Sequence, residues 1–473
     1  MVLFIKNKLL KKYLLSISII FLITTIFTAC KKDSFITGTN ALLKLSADSL
    51  KYDTVFTTIG SITKSFKIIN TNDQKLLISK VKLMGGTTSA FKINVNGLAT
   101  IERNDIELAA NDSIYVFVTV TVNPTLVNLP FIISDSILIN YNGLNKLVQL
   151  QAYGQNANFI NNGLIISNIT FTNTKPYVIL GGLQVANGAT LTINEGAKIY
   201  CHADAPIIVD GTIICNGTKA LPIVFAGDRL DDPYSTFPAS WPGIYCRGNS
   251  KDNVLKFTQI KNAYQAIVAL QPSVNANPKL ALKQCLIDNA LDVGLLCTNT
   301  NVVVDNTLIS NCGRGVSFSN GGTYSLTHST IVSYSNNYVQ HKSSSVYLSD
   351  ANESNQTNPL NVLLRNCIIY GDAGFVQNEI QTNKIGNIFN VNLDYCLYRN
   401  TTDPTNTTIN QSIKNIDPSF DSVNNASRFY NFRITKSATA PGINKGTATS
   451  FLKDLDDNSR NVGLPDMGAY EKQ

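Results

Sequence analysis

Five polar residues recur at one place in a repeat of the chain. Lys283, Asp305, His328, Arg365 and Asp394 each stand two positions before a member of a Cys/Thr column formed by Cys285, Thr307, Thr330, Cys367 and Cys396. Acids, bases and a guanidinium on successive turns are what a groove for a charged, hydroxyl-rich polymer requires: a base to remove a proton beside a carboxylate, and cations to neutralise the charge that develops. Residues two apart in an unbroken strand point the same way. The five therefore project outward only if the chain bends at the intervening residue, where Asn306 and Asn366 stand. The same column also describes a solvated charge ladder, each pair contributing well under ~1 kcal/mol. A second group, Tyr234, Phe237 and Trp241, is aromatic and suited either to stacking on sugar rings or to packing its own loop down. Asp231-Asp232, beside Pro233, reads as a turn, and His341-Lys342-Ser343 lies in the longest insertion. Asp454, Asp456 and Asn458 have the alternate spacing of calcium oxygens but read as end-cap hydrogen bonding. HExxH, a nucleotide-binding loop and G-x-S-x-G are all absent, so no catalytic residue, metal site or cofactor is assigned.

The elements that must position these residues are short strands. The Cys/Thr column runs from Thr258 to Cys285 in 27 residues, then advances by 22 to Thr307, 23 to Thr330, 37 to Cys367 and 29 to Cys396. A period near 22 is one coil of a right-handed parallel β-helix, and the longer steps are coils with inserted loops. Upstream, Leu183-Gln184-Val185, Leu191-Thr192-Ile193 and Ile208-Val209 end at Gly188, Gly196 and Gly211, corners at which glycine accepts backbone that other residues resist. An inward Cys/Thr column explains the cysteines as small, reduced core residues. Asn306 and Asn366 are expected to form a partial asparagine ladder at the bend. Before this solenoid, residues 42–158 alternate strongly: Val116, Val118, Val120 and Val122 fall on one face, Tyr115, Phe117, Thr119 and Thr121 on the other. Roughly seven such strands predict an immunoglobulin-like β-sandwich.

The start of the chain is of another kind. Lys6, Lys8, Lys11 and Lys12 precede an uncharged apolar run, Tyr13 to Ala29, that ends at Phe27-Thr28-Ala29-Cys30, the pattern of a cleaved secretory signal. Those last residues resemble a bacterial lipobox, which implies lipidation of Cys30 and attachment to a membrane. Removing the four lysines from the formal charge of +7 leaves about +3, too little for a nucleic-acid surface. Eight cysteines remain after Cys30, without the spacing of a disulfide framework or a CxxC metal site.

Two stretches resemble the β-helix lipoproteins of the Bacteroidota. One is residues 182–270, with Val185-Ala186-Asn187-Gly188 and Trp241-Pro242-Gly243-Ile244. The other is the tail from Asp417-Pro418 through Asp454-Leu455-Asp456-Asp457-Asn458-Ser459-Arg460 to Asp466-Met467-Gly468-Ala469-Tyr470-Glu471. The tail resembles an end-module whose D-x-G-A-x-E strand closes the last coil, although Asp457 and Ser459 replace its usual glycine and proline. The resemblance implies an all-β chain: signal 1–29, tether 30–41, sandwich 42–158, pectate-lyase-like β-helix 163–415 and end-module 416–473. Such β-helices commonly act on acidic polysaccharides, yet the Gly-His-Gly and Arg-Ile-Lys elements of the pectin hydrolases are missing. The expectation is an outer-membrane lipoprotein whose β-helix binds carbohydrate or another cell-surface ligand. A polysaccharide lyase or hydrolase is the first alternative, an adhesive or structural rod the second.

Overall fold

The computed structural model describes residues 34–56, 61–123, 131–460 and 462–473. Cys30 and the segment before it lie outside the described residues. The chain divides into two compact units, the second resuming at Gln155. All the strands expected by alternation form, and the fold is all-β, with only two 3-10 turns among the described residues.

The first unit is a sandwich of two five-stranded sheets. Its strands are β1 Leu43–Leu45, β2 Ser49–Phe56, β3 Lys64–Asn70, β4 Leu76–Leu83, β5 Phe91–Val95, β6 Leu98–Thr100, β7 Glu102–Leu108, β8 Ser113–Val120, β9 Phe131–Tyr141 and β10 Leu144–Gln155. One sheet runs β1-β3-β8-β5-β6 and the other β2-β10-β9-β4-β7. The alternation of β8 does what it predicts, with Val116, Val118 and Val120 fully buried and Tyr115 and Phe117 exposed. The described residues form ten strands where roughly seven were expected; the three-residue β1 and β6 are too short to show a period and account for two of the additional ones.

The second unit is a parallel β-helix of 26 strands with three faces. Face one holds Thr190–Asn194, Thr212–Asn216, Asn253–Lys256, Leu280–Lys283, Leu360–Arg365 and Phe389–Asp394. Face two holds Thr258–Lys261, Leu286–Asp288, Leu308–Ser310, Thr330–Ser333 and Ile368–Gly371, and face three Ile244–Cys246, Gln265–Leu270, Val346–Ser349 and Ile380–Asn383. Val293–Asp305 and Arg314–Thr327 run through a corner and serve faces three and one in turn. Inside, like stacks on like. Leu255, Leu282, Val304, Leu326, Leu364 and Leu393 line face one, and Ile260, Ile287, Ile309, Ile331 and Ile369 line face two. Each such side chain is buried, worth ~1.5–3 kcal/mol apiece. All eight described cysteines are buried and unbridged.

Between faces one and two the chain turns on a single residue with positive φ: Phe257, Gln284, Asn306, His328, Asn366, Tyr395 and Gln411. Asparagine is the non-glycine residue that tolerates this backbone best, which accounts for two of the seven. The register corrects one expectation. Asp305 pairs with Thr327 and Thr327 with Arg365, so Ser329 follows Thr307 in the inward column and Thr330 does not. The coil from Thr307 to Ser329 is therefore 22 residues long, like the one before it.

Face two is apolar on its outer side as well. Leu286, Leu308, Thr330, Ile368, Leu397 and Ile413 form its outward column. A sheet apolar on both sides needs a cover, and the tail supplies it. Phe432, Leu455, Ala469 and Tyr470 pack on Leu308 and Val332, while Ile434, Ala440 and Met467 pack on Ile368 and Leu397. The end-module thus lies along the flank of many coils, contrary to the expectation that it closes the last one.

Candidate functional site

The five-residue column is only partly a column. Lys283, Asp305, Thr327, Arg365 and Asp394 are register partners on the outside of face one, just before the positive-φ corner, so the bend falls where required. His328 is not among them. The one-residue register error described above moves it into the corner itself, where it is fully buried. Its Nε2 lies 3.0 Å from Asn366 Nδ2 and 3.1 Å from Thr449 Oγ1, beneath the end-module. Burial, aided by the Arg460 charge, pulls its pKa down to about 3, which keeps the ring neutral. Two of the remaining charges pair with each other: Arg365 Nε donates to Asp394 Oδ2 at 2.7 Å. Asp305 is buried and its carboxyl is pushed up to about 7, with only Lys283 opposing.

The expected asparagine ladder at this corner is replaced by contacts to the tail. Asn306 Oδ1 accepts two hydrogen bonds from Arg460, at 2.8 and 3.0 Å, and Asn366 is bonded to the Thr447 backbone on both sides of its amide. Amides stack instead at the corner after face two, where Asn289 Nδ2 donates to Asn262 Oδ1 at 2.8 Å.

The aromatic trio separates. Trp241 is wholly buried, with its indole N–H on Lys261 O at 2.9 Å, and cannot meet a ligand. Tyr234 and Phe237 form a file with Tyr338, centroids 5.1 and 4.8 Å apart, and Arg229 lies 3.9 Å over Tyr234. Each ring meets another side chain of the protein, as loop packing requires, while Tyr234 keeps 42% of its surface exposed. Asp231 holds Arg229 by two hydrogen bonds of 2.7 and 2.8 Å, as a turn would. Asp454 caps the backbone N–H groups of Asn458 and Glu471, and Asp456 binds Arg433. Among the described residues no cluster of metal-ligating side chains occurs.

A groove of 530 Å³ opens elsewhere, on face three toward its last strands. Its lining takes Arg314, Gln381 and Thr382 from the strands, and Lys342, Ser344, Phe375, Gln377, Asn400, Thr402 and Thr405 from the connections. Arg314 lies over the Tyr347 ring at 4.8 Å, and Lys342 Nζ sits 5.7 Å from Phe375, which is 70% exposed. Asn400 finishes the edge of the sheet: its amide accepts from Ile380 N–H and donates to Ile380 O, both at 2.9 Å, where a further strand would otherwise pair. Among the described lining residues Asp403 is the only carboxylate. It is held by Lys414 at 2.9 Å and by the Tyr398 hydroxyl at 2.8 Å.

Under this groove the two wall loops are joined by a buried ion cluster. His341 Nδ1 meets Asp372 at 2.8 Å, its Nε2 meets Glu379 at 3.0 Å, and Glu379 also takes Arg399 at 2.6 Å and Ser345 Oγ at 2.7 Å. Burial alone would lower the imidazole, but the Asp372 and Glu379 carboxylates outweigh it and raise His341 to about 9. His341 is thus a buried cation that fixes the loop carrying Lys342 and Ser344. The groove residues sit in insertions of irregular length, where no periodicity marks them. The only sequence signals were the long step containing His341-Lys342-Ser343 and an apolar Phe375 next to Gly374.

Residues 163–269 match the family described as a pectate-lyase like beta helix domain. No curated protein matches the chain. Among solved structures, a protein of unknown function from Porphyromonas gingivalis aligns at 13% identity over 26% of this chain and 51% of that one, with a TM-score of 0.19. This chain therefore spans about half the length of that structure. A family 123 glycoside hydrolase from Clostridium perfringens aligns at 10% identity over 24% and 25% of the two chains, with a TM-score of 0.17. The SafA pilin in complex with the SafB chaperone, from Salmonella enterica, aligns at 14% identity over 25% and 56%, with a TM-score of 0.17. The architecture and the family match define a protein with a pectate-lyase-like parallel β-helix. The likenesses to solved structures are too slight to add to that.

Proposed function

We propose that this protein is a lipid-anchored, extracytoplasmic carbohydrate-binding protein, held through Cys30 at the outer membrane and engaging glycan in the face-three groove. One observation carries the reading. Amides, hydroxyls and two cations converge on a groove with an exposed aromatic at its lip, while its single carboxylate is already paired. Sugar sites combine an apolar ring platform with a few fixed hydrogen-bonding groups. Hydrolysis by the usual route needs two carboxyl groups flanking the bond, and this groove offers one. The pectate-lyase-like match favours a polysaccharide lyase as the second reading, with Arg314 or Lys342 as the base.

The test is a glycan and polysaccharide array with residues 34–473, followed on every hit by an ultraviolet assay for unsaturated products and a reducing-sugar assay. Binding without product, weakened about tenfold or more by Phe375→Ala and by Arg314→Gln, is expected, since each removes a stacking or charge-assisted contact. Product formation would replace the binding reading with the lyase or hydrolase. Binding that survives both variants would refute the groove.

A further inference from the structure

A second cavity, of 340 Å³, lies on the other side of the corner after face two, beneath the hairpin Ser422–Asn424/Phe429–Asn431 of the end-module. It is built from the corner residues Lys261, Asn262, Asp288, Asn289 and Asn311, the loop residues Ser235 and Thr236, Asn336 of the long insertion, and Ser427, Arg428 and Tyr430 around the hairpin. Its amides are spoken for. Asn262 and Asn289 donate to the carbonyls of Ser235 and Thr236, at 2.8 and 3.0 Å, so they fix the loop.

Its cations are different. Arg428 is immobilised by the aromatic file, its guanidinium carbon 4.6 Å over Tyr338 and one N–H on Thr236 Oγ1 at 3.0 Å. Both partners are neutral. Neither Arg428 nor Lys261 makes an ion pair among the described residues, although Arg229, Arg247, Arg365, Arg399, Arg433 and Arg460 all do. The one carboxyl among the described lining residues, Asp288, is the register partner of Lys261 and attracts it, and its Oδ1 is engaged by Ser310 Oγ at 2.7 Å, so Arg428 is the cation left without a counter-charge. The Tyr430 hydroxyl borders the cavity with the Asn336 side chain as its hydrogen-bonding neighbour, and a phenolic O–H can donate as well as accept. A guanidinium positioned by stacking and a hydroxyl, yet given no counter-charge, is the arrangement suited to a planar or tetrahedral oxyanion.

We propose that this cavity is a second ligand site, taking a compact oxyanion or the anionic group of a small solute through Arg428 and Lys261, with the Tyr430 hydroxyl as a further donor. The file Tyr234-Phe237-Tyr338 then has a positioning role: it sets Arg428, and its rings do not contact the ligand. The site is chemically distinct from the face-three groove and does not depend on the reading of that groove.

The experiment is thermal unfolding and calorimetric titration of residues 34–473 with sodium phosphate, sodium glucuronate and glucose, at ionic strength matched with sodium chloride. Saturable binding of phosphate is expected, reduced about tenfold by Arg428→Gln and by Lys261→Gln, because each removes one charge-assisted contact. Asp288→Asn, which deletes the only carboxylate facing the anion, is expected to tighten binding. Lys80→Gln, on the exposed surface of the sandwich unit, serves as the unaffected control. Glucuronate bound more tightly than phosphate, with the same losses, would assign a sugar-borne carboxylate; phosphate bound more tightly would assign a free oxyanion. Glucose binding as well as either anion, no saturable response to any anion, or a response unchanged in Arg428→Gln would overturn the proposal.

Discussion

Arg460 is 1% exposed, and everything it touches belongs to the seam between the end-module and the β-helix. It donates twice to Asn306 Oδ1, once to Glu471 Oε2 at 3.1 Å and once to Gly468 O at 3.1 Å, while Glu471 is itself buried. Arg460→Met keeps most of the volume and leaves the Glu471 carboxylate without its cation. Breaking a buried pair from one side costs ~3–5 kcal/mol, far more than the pair contributes net. The loss should be local, so the assay is hydrogen exchange at two amides that report docking: Gly468 N–H on Asn366 O at 2.7 Å, and Ala469 N–H on Thr330 Oγ1 at 2.9 Å. Their exchange should accelerate about a hundredfold or more, at ~1.4 kcal/mol per decade. Burial already raises Glu471 to about 7, with Arg460 pulling the other way. Its folded value lies above the unfolded one, so its contribution is present at low pH and is lost as pH rises through the folded value. Without Arg460 that value climbs further, and the defect of the variant should shrink in mild acid. The double variant with Glu471→Gln should cost less than the sum of the singles. Additive costs, or exchange changed by less than about threefold, would refute the view that this pair holds the module down.

Further outcomes follow from the coil geometry and from the two buried histidines. Gly243 has φ +128, and a Cβ there would stand 1.7 Å from the Gln265 carbonyl of the next coil, so Gly243→Ala should cost at least ~3 kcal/mol in urea unfolding. In the inward column, Cys285→Thr should cost under ~1.5 kcal/mol, because the same column accepts Thr307. Thr307→Val should cost ~1–3 kcal/mol, since it strips a hydroxyl that joins Asp305 O to Cys285 N. The two histidines give opposite pH limbs, read as thermal midpoints from pH 4 to 10. His328, depressed to about 3, contributes stability that is present above about 6.5 and lost as pH falls toward 3. His341, raised to about 9, contributes stability that is present below about 6.5 and lost as pH rises through 9. His328→Asn, the residue found at the same corner in two other coils, should flatten the acid limb alone.

The strands were legible because alternation and coil length are written in apolar residues, and Val116-Val118-Val120 or Cys285-Leu286-Ile287 allow one reading each. The corner was legible too, since Lys283 and Asp305, two positions before Cys285 and Thr307, could not share the inside with them. What misled was Ser329-Thr330: either residue suits a small inward position, and one step of register decides whether His328 is a groove residue or a buried one. The groove itself was hidden, because Arg314, Gln381 and Asn400 are set side by side by the lengths of connections that have no period. The repeated Leu-Ile and Ile-Ile pairs of face two carried a further signal. Two adjacent apolar residues mark a strand buried on both sides, and hence a cover running alongside the coils.

That cover changes how the solenoid comes apart. In a stack of repeats held only by nearest neighbours, the end coil peels first and each loss exposes the next, so stability declines gradually toward the terminus. Here one tail is bonded to Gln284, Asn306, Asn366 and Thr236, coils far apart in the stack. No single coil between them can fray without dragging the tail off all the others. The clasp converts a chain of local equilibria into one transition, so mechanical or thermal insult should meet a rod that stays whole until it fails at once.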